Sequence, residues 1–314
     1  MISTFEAAPG IMAVDTRMYG HEQITSAYLV EAFEPTLVET GPANSAEAVA
    51  NALDALGLSP RSLAHVVVTH IHLDHSGGAG QIAERYPNAT IWVHPRGARH
   101  LAEPERLVAS AARLYGGMDG LSRMFGLPVP VDAGRLRAVE DGESIDLGDR
   151  RLVSLHTPGH ASHHMALQDS ATGCVFTGDA VGVHLPAIGT TRPAAPPPEW
   201  DIEQAVASIE RIRDHARGSL MFSHFGPVPG VDQTCAEAVE RIRTWGEVVR
   251  MAMRETDDVD RIARALAAAT AGELGALNDL DEERLEWAAG YRLNAAGYLR
   301  YWQQKDAAEE TQDS

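Results

Sequence analysis

Cysteine is almost absent from this chain: Cys174 and Cys235 are the two in 314 residues. Two thiols cannot build the cross-linked scaffold of a small secreted domain, and a reduced cytosolic pair fits them better than a disulfide. Cys174 sits inside an apolar run and reads as a small buried side chain. Positive charge is scarce as well, with 26 Lys and Arg against 44 Asp and Glu and a net charge of −18. That balance repels phosphate backbones, and the basic block that a nucleic-acid groove needs is missing, so nucleic acid is not an expected partner. Apolar runs of transmembrane length are lacking, as is a signal peptide: residues 1–10 offer neither a basic start nor an unbroken apolar core. The expected setting is the cytoplasm, without a membrane partner. No Gly-x-Ser-x-Gly elbow occurs, which argues against a serine nucleophile and a covalent intermediate.

What the chain does have is a concentration of metal-ligand side chains. His70-Ile71-His72-Leu73-Asp74-His75 places four such side chains in six residues, straight after the apolar run Val66-Val67-Val68 and before a Ser-Gly-Gly turn. On an extended segment His70 and His72 point the same way, while the turn carries Asp74 and His75 to a neighbouring point. One metal can take the first pair and a second metal the next. Imidazole and carboxylate donors suit zinc, and a site with few protein ligands leaves room for a reactive water. Three further strands end on single ligands. Residues 152–160 run through a Pro-Gly turn to His160, residues 174–179 end on Asp179, and residues 219–226 carry His224 beside a glycine. Strand, glycine turn and lone ligand, three times over, predict strand ends that converge on one point.

The set His70, His72, Asp74, His75, His160, Asp179 and His224 resembles, in order, the ligands of the metallo-β-lactamase-fold hydrolases, over roughly residues 10 to 230. The resemblance implies an α/β protein with an αββα sandwich. It implies one metal on His70, His72 and His160, a second on Asp74, His75 and His224, and Asp179 bridging them. The implied cofactors are two divalent ions, zinc by preference with iron or manganese as alternatives. The implied reaction is attack by a hydroxide shared between two zinc ions on a small-molecule ester or lactone, with phosphotriesters within range. Asp74, a ligand beside the nucleophile, is the candidate to pass a proton to the leaving group. A glyoxalase II-like thioesterase and a mononuclear-iron persulfide dioxygenase are the alternatives. Two departures bear on substrate. Lactonases of this family commonly place a Tyr three residues after the bridging Asp, where this chain has Gly182. Glutathione thioesterases carry a late Arg/Lys cluster, where residues 232–243 offer Arg241 and Arg243 alone.

A chain of this length can bury a large core, and one domain with an appendage is expected. Residues 1–230 form the predicted catalytic domain, 231–304 a C-terminal helical region and 305–314 a polar, disordered tail. Within the first, strands are predicted over 11–15, 26–31, 35–39, 66–69 and 90–94, helices over 45–56 and 79–86, and a hairpin-like stretch over 136–149. The last long helix is predicted over 281–304. A helical insertion at about 103–130 carries Leu107, Ala111, Leu114, Tyr115, Met118, Leu121, Met124 and Phe125 at helical spacing, broken by Gly116-Gly117. It is a candidate lid, pocket wall or homodimer surface, with plain packing as the alternative. The loop Pro186 to Pro198 is too proline-rich for helix, follows Asp179, and holds one charge, Arg192. Insertion and loop together predict a largely apolar mouth suited to neutral esters or lactones and poor for thioesters with a polyanionic handle. Tyr115, Met118, His184 and Arg192 are the candidate substrate contacts. His164 has a supporting role or simply packs, His163 faces solvent, and His156 is structural.

Overall fold

The structure, a computed structural model, describes residues 3–275 and 277–312. Its first half is a seven-stranded sheet in sequence order: β1 (Thr4–Ala8), β2 (Ile11–Asp15), β3 (Ser26–Val30), β4 (Thr36–Val38), β5 (His65–Val67), β6 (Thr90–Val93) and β7 (Leu136–Ala138). The first four strands are antiparallel, and β4 to β7 run parallel. The second sheet has six strands: β8 (Ser144–Asp146), β9 (Arg151–His156), β10 (Met165–Asp169), β11 (Val175–Gly178), β14 (Leu220–Phe222) and β15 (Gly226–Val228), in the order β15-β14-β11-β10-β9-β8. A small ribbon pairs β12 (Val183–His184) with β13 (Thr191–Arg192).

Strand alternation explains why the two sheets stack. In β3, Tyr28 and Val30 enter the inter-sheet core with Phe176, Met221 and Leu167, whereas Ala27 and Leu29 face the opposite way. Those outward residues meet α1 (Ala46–Ala55) and α3 (Ala79–Arg85). In the second sheet Met221 faces inward, while Leu220 and Phe222 pack on α7 (Ile202–His215), α8 (Val231–Ala252), α9 (Val259–Thr270) and α11 (Tyr291–Gln312). Each central strand is buried on both faces, hence its near-continuous apolar sequence. The result is the αββα sandwich that the ligand motif implies. Beyond it, α4 (Ala98–Ala102), α5 (Glu105–Ala112) and α6 (Gly117–Phe125) make the insertion, and α10 (Asp279–Ala289) precedes α11. Gly116 and Gly117, both at positive φ, make the corner between α5 and α6.

Three sequence expectations are corrected. The stretch 136–149 is not a hairpin: β7 pairs with β6, whereas β8 pairs with β9, so the chain crosses here from one sheet to the other. The helix expected over 281–304 is two helices, because Gly290 adopts an extended ψ of 139° between α10 and α11. The polar segment from 305, expected to be disordered, is helical through Gln312, with residues 313 and 314 outside the described part. Ion pairs from Asp306 to Arg250 and from Lys305 to Glu203 hold that last stretch against the body. Among the described residues no helix is long and apolar enough to cross a membrane.

A buried ion pair clamps the sheets together. Arg150 donates through Nε and Nη2 to Asp169 Oδ1 and Oδ2 at 2.9 and 2.7 Å, while its Nη1 reaches the carbonyls of Gly10 and Glu31 in the other sheet's turns. Asp169 also accepts from the Thr172 amide and hydroxyl, so both charges are fully engaged. Asp169→Ala would strand a buried guanidinium and is expected to cost about 3–5 kcal/mol of unfolding free energy. Chemical denaturation checks this; a loss below about 1 kcal/mol, the range of exposed pairs, would show that the clamp is dispensable.

Candidate metal centre and its cleft

The seven predicted ligands come together at one edge of the sandwich. β9, β11 and β14 run in the same direction, and the candidate ligands His160, Asp179 and His224 follow their C-terminal ends. The loop after β5 in the facing sheet supplies the rest, with Asp74 and His75 in the short helix α2 (Leu73–Ser76). Donor atoms fall into groups that lie within 4.8 Å of one another: His70, His72 and His160 on one side, Asp74, His75 and His224 on the other.

Asp179 stands between the two groups and gives one oxygen to each. Its Oδ2 lies 3.9 Å from His70 Nε2 and 3.5 Å from His160 Nε2, whereas its Oδ1 lies 3.4 Å from His75 Nε2 and 3.6 Å from His224 Nε2. Asp74 Oδ2 is 3.5 Å from both His75 Nε2 and His224 Nε2. The outer ring nitrogens set the tautomers. His160 Nδ1 faces the Ala194 carbonyl at 2.9 Å and His224 Nδ1 the Ile24 carbonyl at 3.0 Å, so both Nδ1 atoms donate and both Nε2 lone pairs aim at the centre. His70 follows the same logic. Thr69 Oγ1 donates to Glu39 Oε1 at 2.5 Å and therefore accepts from His70 Nδ1 at 3.0 Å.

Lone pairs aimed at one another with nothing positive between them fit a cation. His72 Nδ1 is 3.1 Å from His70 Nε2 and 2.8 Å from His160 Nε2, and a single proton can serve one of these contacts. His75 Nε2 and Asp179 Oδ1 are buried without a hydrogen-bond partner. The donor set is thus the kind that holds divalent ions. Titration agrees with this placement. Burial, reinforced by neighbouring imidazoles, holds His70 and His72 well below the usual histidine range, and burial also lowers His160, so these rings are neutral and free to ligate. Burial would lower His75 too, but the Asp179 and Asp74 carboxylates overcome it and raise it; a bound cation would take the place of that proton.

The supporting residues are equally specific. His164 accepts from the Asp179 amide through Nε2 at 3.0 Å, so its Nδ1 donates to Thr157 Oγ1 at 2.7 Å. Gly178 makes this contact feasible: its φ is +51°, and a Cβ there would lie 2.4 Å from His164 Nε2. Glu39, a non-glycine residue at φ +66°, reaches from the end of β4 to Thr69 and lies 3.7 Å from His75 Nδ1.

Above the ligands opens a cleft of about 510 Å³, walled by α5 and its C-terminal turn, by Pro196–Pro198 and by α10 and α11. Tyr115 lines it, but the other candidate substrate contacts do not. Met118 is 47% exposed on the outer side of the insertion. Arg192 is buried, with its guanidinium 4.7 Å from the Trp245 ring and 4.3 Å from the Tyr291 ring, because pairing of β13 with β12 turns it toward the C-terminal helices. His184 packs on Phe222, and it is its backbone that steadies the His224 loop. His163, expected to face solvent, instead lines the cleft, 5.6 Å ring to ring from His72, and is pushed down to about 4 mainly by burial. The contributions of Arg106, Arg113, Trp287 and Arg300 to the cleft were not anticipated. The spacing of Arg106, Ser110 and Arg113 along one helical face was the available signal for the first two.

Residues 22–220 match the metallo-beta-lactamase superfamily. A metallo-beta-lactamase fold-containing protein, ST1585, from Sulfurisphaera tokodaii is 30% identical over 169 residues, covering 53% of this chain and 62% of that protein. Its crystal structure superposes over 92% of this chain and 98% of its own at a TM-score of 0.67 and 22% identity, a likeness of fold. The acyl-coenzyme A thioesterase MBLAC2 of Gallus gallus is 35% identical over 129 residues, 40% of this chain and 44% of that protein. The N-acyl homoserine lactonase AttM of Rhizobium radiobacter is 31% identical over 116 residues, 37% and 39% of the respective chains. These sequence matches therefore span less than two thirds of each relative.

The support given by His164 to Asp179 is open to test. His164→Ala should weaken divalent-metal affinity about 10–100-fold, the usual effect of losing an outer partner of a ligand, with the circular dichroism spectrum retained. Unchanged affinity in a folded variant would reduce His164 to packing.

Proposed function

The chain belongs to the metallo-beta-lactamase superfamily, and from that membership and its ligand geometry we propose a metal-dependent hydrolase that cleaves a small-molecule acyl ester, lactone or thioester. The observation that supports it most is the division of Asp179: one oxygen toward His70 and His160, the other toward His75 and His224. That geometry suits two ions, zinc by the imidazole-rich donor set. When bound, such ions supply Lewis acidity and a water of lowered pKa.

The chain's own residues do the remainder. Asp74 is the half-open ligand, its side chain 23% exposed against 6% for Asp179, so it can meet both floor and cleft. The His75 and His224 imidazoles hold its carboxyl well below the usual range against the effect of burial, and it is a carboxylate at neutral pH. It can therefore take a proton from attacking water and return it to the departing oxygen or sulfur. The Tyr115 hydroxyl has no hydrogen-bond partner within the described protein; its ring is fixed edge-on against Phe125, at 4.9 Å between centroids. It is free to donate to the substrate carbonyl. The acyl group would lie along Leu107, Leu114, Phe125 and Trp287, apolar side chains that exclude water from one wall. Thioesterase and lactonase relatives share acyl transfer to water, which is the chemistry this arrangement serves.

Asp74→Asn tests the proton role. In metal-replete protein with wild-type metal content, turnover of a short-chain acyl ester or thioester should fall at least about a hundredfold. Near-wild-type turnover in that variant would remove Asp74 from the proton path.

A further inference from the structure

The cleft collects positive charge in a chain that has little of it. Arg106 on α5, Arg113 just beyond that helix and Arg300 on α11 all line the same opening. Arg106 and Arg113 have neither an ion pair nor a hydrogen bond among the described residues, while Arg300 spends Nε on the Pro198 carbonyl at 3.3 Å. Arginines elsewhere are divided: Arg250, Arg284 and Arg292 are matched to Asp306, Asp281 and Asp260, whereas Arg123, Arg243 and Arg254 have no ion pair among the described residues but stand apart from the cleft. Apart from the candidate ligands Asp74 and Asp179, the one acidic side chain lining the cleft among the described residues is Glu199, whose oxygens accept from the Ser162 amide and hydroxyl. With a net charge of −18, three unmatched guanidiniums around one opening do not follow from a general excess of cations. They surround the entrance to a site whose other wall is apolar. The sequence predicts an opposite character, a largely apolar mouth in which Arg192 is the proline-rich loop's one charge. Arg192 lies elsewhere, and residues from the insertion and from α11 take its place.

Arginine presents a planar fork that matches carboxylate and phosphate oxygens, and in a partly enclosed cleft such charge-assisted bonds are among the strong ones. We propose that the cleft binds an acyl ester or thioester whose alcohol or thiol half is an anion, carrying carboxylate or phosphate groups held by Arg106, Arg113 and Arg300, with the acyl chain on the apolar wall. Water adds across the acyl C–S or C–O bond, releasing a carboxylic acid and the anionic thiol or alcohol. This rests on the hydrolase reading, but the grip on the anion is separable from it.

The test compares three thioesters of one acyl group: a neutral N-acetylcysteamine thioester, a glutathione thioester with its carboxylates and a coenzyme A thioester with its phosphates. One charged thioester should exceed the neutral one in kcat/KM by at least about tenfold, expressed in KM, and this advantage should shrink at high salt. Replacing Arg106, Arg113 and Arg300 with Gln should bring the charged-to-neutral ratio close to one, and each single replacement should lower it. Which charged thioester leads identifies carboxylate or phosphate as the group recognised. A neutral thioester that equals or surpasses both charged ones, or a ratio that survives the triple replacement, overturns the proposal. A second arm needs no turnover. S-methylglutathione or desulfo-coenzyme A should bind the full chain at least tenfold more tightly than the triple variant by calorimetry, with thermal melting checking that the variant is folded. Binding of neither probe to the wild type overturns the proposal. Arginine-dependent binding without hydrolysis of any thioester supports the anion grip and counts against the hydrolase reading alone.

Discussion

One carboxylate, that of Asp179, organises the candidate metal centre. It is buried, it faces imidazoles from both sheets, and its two oxygens address two separate groups of donors. A carboxylate cannot hold that pose unaided in a low-dielectric interior. Gly178 supplies the backbone turn, the Asp179 amide is tied to His164, and His164 is tied in turn to Thr157. Across the site, Glu39 and Thr69 fix His70, while carbonyls of Ala194 and Ile24 fix His160 and His224. Four of the seven candidate ligands, His70, His160, Asp179 and His224, are therefore held by groups outside the centre, which keeps the cost of reorganisation low when a cation arrives.

The sandwich exists to bring those pieces to one edge. Tyr28 of the first sheet donates to the Phe222 carbonyl of the second at 2.5 Å, and Ser26 donates to Ser223, so the strand before His224 is fixed directly to the opposite sheet. The Arg150–Asp169 clamp performs the same service at another part of the interface. Slippage of a strand by one residue would exchange its inter-sheet side chains with those packed on the helices, so both cores pin the register and the ligand loops inherit that rigidity. The cleft is less constrained. It is assembled from the insertion, the proline-rich loop and the C-terminal helices, and Tyr19 of the turn between β2 and β3 bridges two of these, with ring centroids 6.0 Å from Phe125 and 4.7 Å from Trp287.

That division explains what could be read from the sequence. The αββα plan was legible because the seven candidate ligands stand at the ends of short apolar strands in an order that resembles one family's, and the structure brings these seven side chains to one edge. Arg192 shows where locality fails. Its place in a proline-rich loop after Asp179 suggests the mouth, but ribbon pairing with β12 and two aromatic rings far along the chain decide its direction. His163 fails for the converse reason: a polar residue beside a buried ligand looks solvent-facing until Glu199 and the proline loop close over it. Residues 136–149 contain good turn signals, yet which sheet each strand joins depends on partners that no short window contains. Trp287 and Arg300 reach the site only through the packing of α10 and α11.

Whether Asp179 joins two cations, as proposed, is read directly by anomalous diffraction from crystals of metal-loaded protein. Two peaks are predicted, one beside His70, His72 and His160 and one beside Asp74, His75 and His224, about 3.5–4 Å apart as in other two-metal sites, with the Asp179 carboxylate between them. A single peak, or a second one that avoids Asp179 and His224 at saturating metal, would rule out the bridging role of Asp179.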